Sequence, residues 1–224
     1  MCEKKYELSW SGKDLKAAFK AIKPFMSTTG ALPVLGQVRA RLIENTLWLE
    51  ATDTYVLGMV ALRSSTFRAD QPTQPWYISY EEVNYFLKAV RVGQRYTLVA
   101  DDEGLSILSE GEGVLRSTHL PNRMPALSYL LLKERTAPGD EATKFTAKNL
   151  LKVTTAANAL GEDSALTMES AGDMGKKPVR FRVESDKHPI LLFGAIMPRR
   201  VDQVPDFTQV MQEVELNKDT LNQK

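Results

Sequence analysis

Residues 12–25 read GKDLKAAFKAIKPF, one helix with two incompatible faces. At about 100° per residue, Lys13, Lys16, Lys20 and Lys23 fall within an arc of roughly 80°. Leu15, Ala18, Phe19 and Ile22 gather on another side. The apolar side requires a core to rest on. The lysine side faces water, a membrane, a partner protein or nucleic acid, and the rest of the chain has to decide which.

Outward from this stretch, the pattern that contains it recurs. YELSWSGKDLKAAFKAIK (from Tyr6), WYISYEEVNYFLKAVR (from Trp76) and TKFTAKNLLKVTTAANAL (from Thr143) each read as a short alternating strand running directly into an amphipathic helix. Leu15, Val83 and Leu150 are the matching first core positions, spaced 68 and then 67 residues apart (15 to 83, 83 to 150). Three β-rich runs follow each helix, separated by turn residues: GQVRARLIEN, TLWLEATD and YVLGMVALR after the first; QRYTLVADD, GLSILSE and GVLRSTHL after the second; SALTMES, KPVRFRVES and PILLFGAIM after the third. Val38, Ala40 and Leu42 alternate with Arg39 and Arg41, and Val179, Phe181 and Val183 with Arg180 and Arg182, a period of two that predicts one buried and one wet face. Each module therefore reads β-α-β-β-β, and the class is α+β, with antiparallel sheets and helices gathered on one face. Two modules in residues 1–122 make one complete domain. Residues 123–143 form a connector, 144–201 a third module standing as a half-domain or reduced second domain, and 202–224 a polar tail.

Composition removes several function classes. A chain of 224 residues, 43% apolar and 25% charged, builds an ordinary globular core. No apolar run approaches the ~20 residues of a membrane-spanning helix, and MCEKKYELSW lacks the apolar centre of a secretory signal, which predicts a cytoplasmic setting. One cysteine, Cys2, precludes an internal disulfide. His119 and His188, the only histidines, have no Cys or carboxylate at metal-ligand spacing, so both are expected at the surface or at strand ends, and no metal site or cofactor is predicted. No phosphate-binding Gly loop and no acid–base pair appears either. The sequence argues for binding rather than turnover. With a net charge of +1, any basic surface has to arise from where charges sit.

The other two helices repeat the polarity of the first. Asn84, Lys88 and Arg91 group beside Val83, Phe86, Leu87 and Val90; Lys148, Lys152 and Thr155 lie opposite Leu150, Val153, Ala157 and Leu160. A solvated face ordinarily mixes Glu with Lys at i,i+4, whereas the first helix offers only Asp14, away from its stripe. Three helices of one sign suggest a single shared anionic surface. A membrane fits poorly, because no helix carries bulky apolar residues beyond those its own sheet requires.

These features resemble the bacterial-type β sliding clamps, the processivity factors of replicative DNA polymerase. GALPVLGQVRARLIENTLWLEATDTYVLGMVA is similar to the run of the clamp's first domain, with Leu32-Pro33-Val34-Leu35 as its entry and Ala51-Thr52-Asp53 closing a strand. VLRSTHLPNRMPAL resembles the segment that leads from one clamp domain to the next, and HPILLFGAIMPRRV the end of the clamp chain; together the likeness covers roughly residues 6–201. The resemblance implies a DNA-clamp fold assembled into a ring. Helices line its hole, and double-stranded DNA passes through without sequence preference. Lys13, Lys16, Lys20, Lys23, Lys88, Arg91, Lys148 and Lys152 would supply the basic lining. It also implies that DNA polymerase and clamp loader dock in a surface pocket that includes Ile196, Met197, Pro198, Arg199 and Arg200.

A family subunit of the bacterial kind has six modules, against three here, which suggests a shortened, phage or mobile-element version. A lone half-domain exposes a sheet edge, and an identical half-domain from a second chain would cover it through an isologous contact. Four chains of three modules would close a ring of about twelve modules, so a homotetramer is expected, with a trimer if the third module builds a shrunken second domain. A clamp mimic that blocks a host clamp or polymerase is the competing reading. It would keep the module edges without needing the lysine stripes.

Overall fold

The computed structural model describes residues 6–29, 32–64, 75–100, 104–109, 112–118, 145–169 and 178–197. The expected connector 123–143 and tail 202–224 lie outside these residues, as do His119 and Pro198–Arg200 of the expected pocket.

The first module runs β1 (Tyr6–Ser11), α1 (Gly12–Ile22), β2 (Gln37–Ile43), β3 (Thr46–Thr52) and β4 (Val56–Arg63). The second runs β5 (Trp76–Ser79), α2 (Tyr80–Ala89), β6 (Arg95–Ala100), β7 (Gly104–Ser109) and β8 (Glu112–Thr118). In the third, α3 (Ala147–Asn158) is followed by β9 (Ala165–Glu169), β10 (Val179–Glu184) and β11 (Ile190–Ile196). The strand expected ahead of α3 falls partly outside the described residues, and Phe145 and Thr146 are not in a strand.

Local chemistry sets the helix starts. Ser11 caps α1, its hydroxyl accepting from the Asp14 amide at 3.1 Å. Ser79 and Glu82 form a reciprocal capping box on α2, with the Glu82 amide donating to the Ser79 hydroxyl at 3.2 Å and the Ser79 amide to the Glu82 carboxylate at 2.6 Å. Thr146 occupies the same place before α3 without a side-chain cap bond.

Pairing across modules builds two antiparallel sheets, β1-β6-β7-β8 and β5-β2-β3-β4-β11-β10-β9. The first two modules exchange their leading strands, β1 pairing with β6 and β5 with β2. The third joins the first through β4 and β11, with Gly58 directly opposite Gly194. A Cβ on Gly58 would stand 2.2 Å from the ring of Phe25, and one on Gly194 2.0 Å from the Leu57 carbonyl oxygen. The bare backbone at this crossing lets Phe25 settle into the junction, where its ring stacks on Phe181 with centroids 5.8 Å apart. The helices gather on one side of the sheets, α1 over β3 and β4 and α3 beside α1 and over β11. A continuous apolar core lies between helices and strands, from Leu8 through Phe19, Leu49 and Phe86 to Leu192.

The outer face of the larger sheet is wet, as expected, at Arg182 and Thr167 on β10 and β9, but departs from that expectation toward β5. Tyr77, Arg39, Glu50, Met59, Phe193, Arg182 and Thr167 are successive cross-strand partners from β5 to β9, so they share that face. At its β5–β2–β3 end Glu50 is completely buried and Arg39 nearly so. Arg39 donates to the Glu50 carboxylate at 3.1 Å, and Arg41 pairs with its other oxygen. A charge at zero exposure is tolerable only when paired and hydrogen-bonded, so the arginines that alternate along β2 are partners of Glu50 rather than solvated side chains. Leu57, Met59 and Tyr77 are also buried on this face, with Val34, Trp48 and Phe193 packed against them.

Candidate nucleic-acid interface

The eight basic residues expected to face DNA divide into two sets. On α1 the lysine arc splits in two, because Lys13 and Lys20 are seven residues apart and so are Lys16 and Lys23, the two pairs being offset by about 60°. Lys13 and Lys20 are exposed. Lys16 turns toward α2 and donates from Nζ to the Val90 carbonyl at 3.0 Å, satisfying an orphan acceptor at that helix's C-terminal end. Lys23 lies over the ring of Tyr80, 5.3 Å from its centroid. The groove between α1 and α2 is filled at its centre by Phe19 and Phe86, with ring centroids 4.5 Å apart.

On α2 and the turn after it, Lys88 and Arg91 are both exposed. That turn abuts the start of α1: the Gly12 amide donates to the Gln94 carbonyl at 2.7 Å, and the Arg91 amide to the Tyr96 hydroxyl at 2.8 Å. The register therefore brings Lys13 and Arg91 to one end of the helix pair. On α3 Lys148 is exposed, while Lys152 forms an ion pair with Asp53. Asp53 is itself held in the β3–β4 turn, accepting from the Tyr55 and Val56 amides at 3.0 and 2.9 Å. Lys152 thus ties the third module to the first.

Five of the eight, Lys13, Lys20, Lys88, Arg91 and Lys148, remain open on the helices of three modules, and no ion pair among the described residues engages them. Glu81, in the first turn of α2, is an exposed carboxylate on the same layer. No group of three His, Cys, Asp or Glu side chains among the described residues is placed to hold a metal ion, and no helix there is long and apolar enough to cross a membrane.

Sequence reasoning missed one junction contact. His188 sits in the turn before β11, at a strand end as expected, but its ring is turned inward and its Nδ1 lies 2.7 Å from Asp14 Oδ1. Asp14 also accepts from the Ser11 hydroxyl at 2.6 Å, so one carboxylate joins the start of α1 to the third module. The two residues are 174 positions apart, and no local pattern announces the pair.

Of the expected partner pocket, Ile196 and Met197 are described. Strand alternation separates them: Ile196 is fully buried in the core, whereas Met197 is exposed on the side of Phe193 and donates its amide to the Tyr55 carbonyl at 2.8 Å. Tyr55 is exposed too. Met197 therefore borders the outer-face group of Phe193, Trp48, Met59 and Leu57, which the sequence did not single out as a surface; Trp48 and Phe193 meet edge to face at 5.9 Å.

The geometry has a counterpart among solved structures. A DNA polymerase sliding clamp from Pseudomonas aeruginosa is similar to this chain at a TM-score of 0.66 and 10% identity, over 87% of this chain and 67% of that one. The fold is that of a sliding clamp. A second such clamp, the H. pylori beta clamp solved with diflunisal, gives a TM-score of 0.65 at 14% identity, over 90% and 68%. The A. fulgidus PCNA, solved with the C-terminal region of FEN-1, gives 0.61 at 13%, over 88% and 99%. The chain is thus shorter than the bacterial clamps but spans nearly the whole of that PCNA. No family model and no curated protein sequence matches it. The α+β class, the antiparallel sheets and the repeated modules agree with the sliding-clamp resemblance read from the sequence.

Proposed function

We propose that this chain is the subunit of a DNA sliding clamp, a ring that encircles duplex DNA and tethers a DNA polymerase. One observation carries the reading. On a sliding-clamp fold, five cations from three modules stand open on the helical layer, while Arg39 and Arg41 on the sheet have been matched with a carboxylate. Mobile side chains at the ends of long stems make sequence-independent contacts with phosphates, which is what sliding requires. Lys16, Lys23 and Lys152 hold helices and modules together and support the lining without forming it. Residues 1–122 serve as one complete clamp domain and 144–201 as a half-domain, several chains closing the ring.

The partner surface in this reading is the outer side of the β4–β11 crossing. Phe193, Trp48 and Met197 offer an apolar patch at the junction of two modules, and Met adapts to varied partners. A short apolar peptide of a polymerase or loader would dock there.

Reversal of the open lysines tests the reading. Lys13→Glu combined with Lys20→Glu should abolish binding to duplex DNA at moderate salt while leaving the circular-dichroism spectrum intact. The wild-type affinity should fall steeply with salt, by about 0.9 in log–log slope per phosphate contact. Unchanged DNA binding by the double reversal would contradict the lining. If the same variant retained inhibition of a host clamp, the mimic would be the better account.

A further inference from the structure

Among the described residues the third module has an open flank, and the first two show how such a flank is closed. Matching the caps Ser11 and Thr146 puts Ala147, Leu151, Thr154 and Asn158 where Gly12, Lys16, Phe19 and Lys23 stand in the first module. All four first-module residues meet the second. Gly12 is so close that a Cβ would stand 2.1 Å from the Arg91 carbonyl oxygen. Lys16 bonds to Val90, Phe19 packs on Phe86, and Lys23 covers Tyr80. Their counterparts on α3 are all exposed, Leu151 at 64%. The sheet repeats the asymmetry. Among the described residues β9 is bordered by β10 alone, whereas the equivalent strands β6 and β2 are covered by β1 and β5. Leu166 and Met168, the inward side chains of β9, are only half-buried, while Tyr96, Leu98, Val38 and Ala40 on β6 and β2 are at 1% or less.

We propose that the flank made by α3 and β9 is closed by the same flank of a second copy of this chain, around a true two-fold axis that reproduces the internal two-fold relation of the first two modules. The chain's own construction names the occupant. The surface that closes the flanks of α1 and α2 is another module of the same kind, and the three modules among the described residues leave one without a mate. The chemistry suits a self-contact: Ala147, Leu151, Thr154 and Asn158 carry no charge, and leucine replaces the lysine that spans the α1–α2 groove. An isologous interface is self-complementary by symmetry. Phe19 and Phe86, in contact in the first pair, correspond to Thr154 and Val153, so Thr154 of one copy lies close to Thr154 of the other. The interface goes beyond the clamp reading and stands without DNA.

Light scattering on the full chain, at micromolar concentration and without DNA, tests it. The wild type should show an even-numbered oligomer, and Leu151→Asp, a change at an exposed site, should halve the mass without altering the circular-dichroism spectrum. As a second readout, Thr154→Cys in a Cys2→Ser background should give a disulfide-linked dimer on mild oxidation, whereas Lys88→Cys should not. A monomeric wild type would overturn the proposal. So would an oligomer whose mass survives Leu151→Asp and which does not cross-link at position 154. Because the sample holds no DNA, failure of the clamp reading leaves these results unchanged.

Discussion

Glu50 has no exposed surface and two guanidiniums beside it, so its loss would leave two cations facing one another on the outer face of the sheet. Glu50→Ala should cost about 3–5 kcal/mol, read as a lower denaturation midpoint in urea; a loss below about 1 kcal/mol would show that water already reaches the arginines. On the helical side, Lys16 and Lys20 lie four residues apart and separate structure from function. Lys16→Ala should reduce stability by about 1 kcal/mol and leave DNA affinity nearly unchanged, whereas Lys20→Ala should do the reverse. Equal effects of the two on DNA binding would mean that the lysine arc acts as one face after all. Polarity was legible in the sequence because a helix's faces follow from its period. The engagement of Lys16, Lys23 and Lys152 was not, because their partners Val90, Tyr80 and Asp53 lie far along the chain. Arg39 and Arg41 deceived for a related reason: alternation reports that two faces differ, not that the second is wet.

At the scale of elements, the crossing of β4 and β11 is where the first and third modules become one sheet. Gly58→Ala would drive a methyl group into the Phe25 ring, and Gly194→Ala would drive one into the Leu57 carbonyl. Overpacking of this kind costs about 1–3 kcal/mol. Gly194→Ala should be the worse of the two, because backbone yields less readily than a ring. Hydrogen exchange should rise first along β11 and β10; uniform protection in Gly194→Ala would show that the crossing is not under steric control. Helices and their spacing were readable in advance, since an alternating strand running into a stretch of helical apolar period is a local signal. The exchange of β1 and β5 and the pairing of β4 with β11 were not, because antiparallel pairing joins residues from opposite ends of the chain and leaves no short-range trace. The outer patch of Trp48, Met59 and Phe193 escaped for the same reason: it exists only once β3, β4 and β11 lie side by side.

For the whole molecule, the chain presents one layer of helices with open cations and one layer of sheet whose flank at β9 lacks a mate among the described residues. Repetition made the layers legible in the sequence. Stoichiometry was not, because closure depends on angles between subunits that no single chain contains. If the open cations line a hole, salt should weaken DNA binding steeply while the oligomer stays assembled, since the α3–β9 flank is uncharged on its helical stripe. Dissociation of oligomer and DNA over the same salt range would count against that division of labour. The most direct measurement is the shape of the assembled protein by negative-stain electron microscopy. Closed rings are expected, with a central opening wide enough for a DNA duplex and α1, α2 and α3 turned toward it. Compact particles without an opening, or rings with the sheets facing inward, would contradict this reading.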